Sequence, residues 1–119
     1  MRGVYTMKIA MPIAGDKLCL HFGHCEKFYF FDVDEQTREI SNVETMVPPP
    51  HEPGLLPRLL HEKGVNLVLA GGMGARAQQL FAQKGIRVVT GADPDSSPED
   101  IVKMHLAGTL KTGSNPCDH

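Results

Sequence analysis

The chain has 119 residues, 41% of them hydrophobic and 22% charged, with a formal net charge of -2. Such a length makes one domain, such a composition is globular rather than disordered, and no run approaches the roughly 18 apolar residues of a membrane span. A net negative charge argues against a protein that lives on nucleic-acid phosphates, which needs a basic face. Residues 1–6 (MRGVYT) carry a charge but no apolar stretch of a signal peptide, so a cytoplasmic location is expected. The composition is unusual in holding three cysteines and six histidines. Cys19, Cys25 and Cys117 are odd in number, so a closed disulfide framework cannot use them all. In a reducing compartment such residues point to packing, metal or redox chemistry.

In chain order, residues 7–13 (MKIAMPI) alternate through Ile9, Met11 and Ile13, which predicts a strand. Pro12 suggests its end or an edge position. Gly15-Asp16 breaks the pattern, and residues 14–26 read as a long irregular loop. Residues 27–33 (KFYFFDV) form an aromatic, largely buried strand, residues 34–37 a turn, and residues 39–47 a strand through Ile40, Val43 and Thr45. The two strands make an antiparallel hairpin, stopped by Pro48-Pro49-Pro50. Leu55, Leu56, Leu59 and Leu60 recur at helical spacing up to Lys63, with Gly64 as the stop. Residues 65–70 (VNLVLA) are a short apolar strand. Gly71-Gly72-Met73-Gly74 follows, then a helix over 75–84 with Ala77, Leu80 and Phe81 inward, ended by Gly85. Residues 86–90 are a further strand. Ser97, Pro98 and Asp100 mark N-cap, N1 and N3 of a last helix that runs to Ala107 and ends at Gly108. The order β-β-β-α-β-α-β-α predicts one α/β domain over residues 1–108, built on a five-stranded mixed sheet flanked by helices. Its fourth strand lies parallel to the fifth and beside the first. Residues 109–119 are polar and are expected to form a flexible tail bearing Cys and His.

Four groups of residues carry chemical interest. Cys19, His21, His24 and Cys25 place four soft or borderline ligands in one loop, which suits iron, zinc, copper and metal–sulfur clusters. Their spacing is not that of a zinc finger, and the plainer alternative is a pair of small core thiols with surface histidines. Cys117 and His119 end the chain as a candidate ligand arm, the alternative being a solvated terminus. Residues 71–77 (GGMGARA) join a strand to a helix start: the glycines permit close approach of a ligand, and free N–H groups and Arg76 favour an anion. Gly72, Gly74 and Ala77 also fit a relaxed dinucleotide fingerprint, with Asp93 near the distance of an acidic ribose partner, but the chain is too short for two mononucleotide halves. Asp32 and Asp34 form a carboxylate pair of the kind that holds magnesium in nucleases, although a solvated turn explains them better. His51, His61 and His105 read as incidental, and no nucleophile has an evident base.

The segments HFGHCEKFYFFDVD and VLAGGMGARAQQLFAQKGI together resemble the dinitrogenase iron–molybdenum cofactor biosynthesis family, and the resemblance spans residues 7 to about 108. It is similar to the small single-domain members, among them the orange protein, and the closing NPCDH looks like the short Cys/His tails of some members. The resemblance implies a ribonuclease H-like fold without nuclease or other enzymatic activity, related to nitrogen fixation and cofactor biosynthesis. Its members bind, carry or insert metal–sulfur clusters, of the iron–molybdenum or iron–sulfur type or, in the orange protein, of molybdenum–copper sulfide. A cluster donor or acceptor protein is the implied partner. Carried over residue by residue, the family loop matches His21, Phe22 and Gly23, and the glycine turn matches Gly71, Gly72 and Gly74. His24-Cys25 is a local feature. The residues themselves suggest that residues 72–76 with Arg76 capture an anionic cluster opposite the His/Cys loop, and that Met73 adds a soft contact. Cys19, Cys25, Cys117 and His119 are the candidate metal contacts. The alternative is a nucleotide- or phosphate-binding module on residues 71–74.

Overall fold

A computed structural model of the chain describes residues 6–19, 25–48, 54–92 and 95–110. Its organising element is β1 (Thr6–Ala14), buried continuously from Ile9 to Ile13. A strand this apolar on both sides needs a partner on each edge and a layer on each face. Along one edge it pairs antiparallel over its length with β3 (Lys27–Asp34), and β3 pairs antiparallel with β4 (Glu39–Met46). On its other edge it pairs in parallel with β5 (Leu67–Leu69), and β5 with β6 (Arg87–Val89). The order across the sheet is β4-β3-β1-β5-β6. The parallel arrangement of the first, fourth and fifth expected strands is therefore present.

Two sequence-based expectations need correction. Among the described residues the sheet has six strands, because β2 (Lys17–Leu18) turns back on the end of β1, pairing Leu18 with Ile13. Two residues are too few to show an alternation, so the hairpin leaves no periodic signal. Pro12 lies inside the central strand rather than at its end. The position is tolerated because β5 pairs with β1 only at Ile9 and Ala10. Beyond that level the β5 side of β1 is locally an edge, where a missing N–H breaks no ladder bond. The Pro12 carbonyl there accepts the Cys19 N–H at 2.8 Å.

The helices cover the two faces unequally. Between β4 and β5 runs α1 (Leu55–Glu62), and between β5 and β6 runs α2 (Ala75–Gln83). Leu60 and Phe81 from these helices pack with Ala10, Phe28, Phe30, Val68 and Met73 on one face. Among the described residues the other face carries a single helix, α3 (Pro98–Ala107), whose Ile101 and Val102 pack on Ile9, Met11, Ile13, Phe31 and Leu67. The bounds of α3 match those expected, for local reasons: the Ser97 hydroxyl accepts the Asp100 N–H at 3.2 Å, and Gly108 closes the helix at φ 75°. Thr109 and Leu110 stay with the domain body, both donating N–H groups to the Met104 carbonyl. No helix among the described residues is long and apolar enough to cross a membrane.

Phe81 is fully buried at the centre of the α1/α2 face. Phe81→Ala should cost about 3–5 kcal/mol of unfolding free energy in urea titration, and a loss below about 1 kcal/mol would contradict this packing.

Candidate functional site

Both loops singled out by the sequence lie at one end of the sheet. β1, β5 and β6 are parallel, and β2, the start of β3 and the glycine turn all gather at their carboxyl ends. Ligands of open α/β sheets bind at that rim.

The Cys loop is held at both its ends. The Cys19 N–H donates to the Pro12 carbonyl at 2.8 Å, and the Glu26 N–H donates to the Ile13 carbonyl at 2.9 Å. Consecutive carbonyls of a strand point to opposite edges, so the segment starts on one side of β1 and returns on the other. The Glu26 carboxylate also accepts the Gly15 N–H at 2.8 Å, pinning the β1–β2 turn, where Gly15 adopts φ 66°. Leu18 belongs to the α3-face core, whereas Cys25 packs against the α1/α2-face core. Cys19 is buried and Cys25 half-buried. Burial pushes the Cys25 thiol up from 9.0 to about 11, and the neighbouring Cys19 sulfur adds repulsion in the same direction. His21, Phe22, Gly23 and His24 lie outside the described residues, as do His51, Asp93, Cys117 and His119.

The glycine turn is the opposing wall. It is tied to the connection after β6 by the Gly91 N–H on the Gly71 carbonyl (2.7 Å) and the Ala92 N–H on the Ala70 carbonyl (3.2 Å). Gly71 and Gly72 are buried and Gly74 is half-buried. Gly74 is the N-cap of α2, with φ -65° and ψ 156°, and gives no side-chain cap. The first helical bond runs from the Gln78 N–H to the Gly74 carbonyl. The first turn contains no acid, so the N–H groups of Ala75, Arg76 and Ala77 precede any intrahelical acceptor. A Cβ on Gly74 would meet nothing within 4 Å. Neither the backbone angle nor packing among the described residues requires glycine there. Arg76 is exposed beside this end.

Met73 departs from expectation. Its side chain is fully buried in the α1/α2-face core rather than turned to the rim. The backbone between two glycines swings it under the turn, and the Gln78 side-chain amide holds its carbonyl at 2.9 Å. Glu26 and Gln78, the two side chains that brace the loops, were not singled out from the sequence; their contacts depend on the fold. The carboxylates of Asp32 and Asp34 are engaged locally. Asp32 lies 3.7 Å from the Lys8 ammonium and accepts from Asn42, while Asp34 caps the following turn through the Gln36 and Thr37 N–H groups. His105 sits in α3, its pKa lowered by burial and by Arg87, and His61 is exposed on α1.

Residues 6–108 match the family model described as dinitrogenase iron-molybdenum cofactor. The uncharacterized protein MJ0580 of Methanocaldococcus jannaschii is 34% identical over 113 residues, covering 91% of this chain and 92% of that protein. The crystal structure of PH0822 superposes with a TM-score of 0.81 at 34% identity, over 89% of this chain and 94% of that one. The orange protein of Desulfovibrio gigas shares the fold at a TM-score of 0.68 and 22% identity, over 92% of this chain and 95% of that one.

The raised Cys25 pKa sets its reactivity. The thiolate is the nucleophile, and its fraction drops about tenfold for each unit of pKa above the ambient pH. A move from 9.0 to about 11 should therefore make Cys25 alkylate about 100-fold more slowly at pH 8 in the native chain than in urea, read by peptide mass spectrometry. The native protein keeps a proton that the unfolded chain releases between those values, so stability should decline as pH rises through that window. An alkylation rate indifferent to unfolding would contradict the site as described.

Proposed function

The chain belongs to the dinitrogenase iron–molybdenum cofactor family, and from that premise we propose that it holds a preformed metal–sulfur cluster as cargo, without transforming it. The clusters in question are molybdenum–copper sulfide or iron–molybdenum and iron–sulfur types, exchanged with a donor or acceptor protein in the cytoplasm. The observation that carries the reading is the open N-terminus of α2 at Gly74, at the same end of the sheet as the half-buried Cys25 thiol. A sulfide-rich cluster is an anion with soft edges. Three backbone N–H groups, the helix dipole and the Arg76 guanidinium offer it charge-assisted hydrogen bonds, and Cys25 offers a polarisable contact.

The donor set of the described residues favours capture over ligation. Among them no group of three or more His, Cys, Asp or Glu side chains is disposed to hold a metal ion. Cys25 is protonated at neutral pH, so binding a metal through its sulfur first has to displace a proton. A cluster that arrives with its own sulfides needs no protein thiolate. The strand order β4-β3-β1-β5-β6, with only β3 reversed, supports the ribonuclease H-like part of the reading. A nucleotide or phosphate would use the same helix end but would leave the thiol side of the rim without a role.

Anaerobic incubation with iron and sulfide, or with thiomolybdate and copper, should give a coloured protein with stoichiometric metal after desalting. Gly74→Ser supplies an N-cap hydroxyl, so folding stability should hold or rise by a few tenths of a kcal/mol. The same hydroxyl would occupy the helix end, and cluster uptake should fall about tenfold, the effect of losing about 1.4 kcal/mol of binding. A protein that stays colourless and metal-free under all these conditions overturns the reading. Equal uptake by the Gly74→Ser variant would move the site elsewhere.

A further inference from the structure

We propose that the carboxyl-terminal half of β4, with the groove between β4 and α3, docks an extended basic segment of a partner protein as an added strand. Among the described residues nothing pairs with the outer edge of β4. Exposed edges are usually blunted by lysine, proline or a bulge. β4 has its irregularity opposite Asp32/Val33, in its first half, and its ladder is regular from Asn42 to Met46. That second half carries no lysine or arginine. The opposite edge of the sheet, β6, has only three residues.

The face beside this edge is also incompletely covered. Two helices pack on the other face, but here α3 leaves Val43 44% exposed, and Val47, just past the strand, is 77% exposed. They are the exposed large hydrophobics of the described chain. An open groove of about 470 Å³ runs from Val43 over Tyr29 and Phe31 to the start of α3, and its acidic lining is Asp16, Glu99 and Asp100. Among the described residues its lining holds no basic side chain, but the Lys27 ammonium sits 5.5 Å from the centroid of the Tyr29 ring. The positive end of α3 amounts to about half a charge, and Ser97 already accepts the Asp100 N–H, so the three carboxylates still outweigh Lys27 and the helix end together. Past Val43 the groove continues along β4 and becomes mixed in charge, with Arg38 and Lys103 among its lining.

An apolar floor, an acidic wall and an unpaired strand edge together fit one kind of occupant. It is an extended segment whose alternate apolar side chains cover Val43 and whose lysines or arginines meet the acids. The edge gives affinity through main-chain hydrogen bonds, and the acidic end selects against an acidic strand. A second copy of this chain fits less well, because its own β4 brings Glu39 and Glu44 and no basic residue. Phe28 pairs with Met46, so this half of β4 lies at the same end of the sheet as Cys25 and the glycine turn. A strand added there would reach the rim. The inference stands on the edge and the groove, not on cluster binding.

The test uses the full chain, isotope-labelled, titrated with a synthetic eight-residue peptide of alternating lysine and valine and with its glutamate–valine counterpart. The basic peptide should shift the amides of Asn42 to Val47 and of the first turn of α3 at up to millimolar concentration. The acidic peptide should bind about tenfold more weakly, and added salt should narrow the difference. Val43→Lys should abolish the shifts, and Glu99→Gln with Asp100→Asn should weaken only the basic peptide. Both variants change exposed groups, and a retained native amide spectrum away from the substitutions verifies their folding. Equal binding of the two peptides, shifts elsewhere, or none at all would overturn the proposal. A dimer in sedimentation that Val43→Lys dissociates would also overturn it, in favour of a second copy. Failure to load a cluster leaves this outcome unaffected.

Discussion

The geometry of the rim depends on how β1 ends. Five consecutive residues of this strand are buried, which fixes its register against β3 and β5 and leaves its last carbonyls as fixed points at the sheet's edge. Pro12 and Ile13 use theirs to hold Cys19 and Glu26. Two hydrogen bonds of ordinary length, each worth about 1 kcal/mol net, thus place the two thiol-bearing ends of one loop on either side of a rigid strand. The hairpin turn adds a third tie through the Glu26 carboxylate. With β1 shortened or shifted by one residue, the cysteines would exchange faces and the rim would lose its thiol wall.

The two helices that follow the parallel strands are treated differently by the sequence. The start of α3 is satisfied within the protein: Ser97 caps it and Glu99 and Asp100 sit in its first turn. The start of α2 has no side-chain cap and no acid, and its N-cap is a glycine in ordinary extended geometry with open space around its missing Cβ. A glycine N-cap gives up a few tenths of a kcal/mol relative to a side-chain cap. Here the end lies at the carboxyl rim of the sheet, the same end as Cys25, and Arg76 is exposed beside it. Stability forgone at such a position is what the proposed anion site would look like in energetic terms.

How much of this was legible in the sequence follows from which interactions are local. The bounds of α3 could be read because Ser97, Pro98 and Gly108 act on their own helix. The hairpin of β3 and β4 and the parallel pair β1 and β5 followed from period and connection length. The two-residue β2 could not be read, since nothing alternates over two residues. Pro12 was misleading because its tolerance comes from where β5 stops, a matter of tertiary structure. Met73 looked available for a ligand because glycines surround it, but the turn directs it into the core. The sequence placed the thiols and the glycine turn at one end of the domain. The braces that set their distance, Glu26 on Gly15 and Gln78 on Met73, depend on contacts made only after folding.

In the proposed site the N-terminus of α2 is the anion-holding wall. Titration of the isotope-labelled protein with tetrathiomolybdate under anaerobic conditions tests it most directly, followed through backbone amide resonances. The amides of Ala75, Arg76 and Ala77 should move first and farthest, together with that of Cys25, while those of the capped first turn of α3 stay in place. Unmoved amides at residues 75–77, with binding registered elsewhere on the chain, would contradict it.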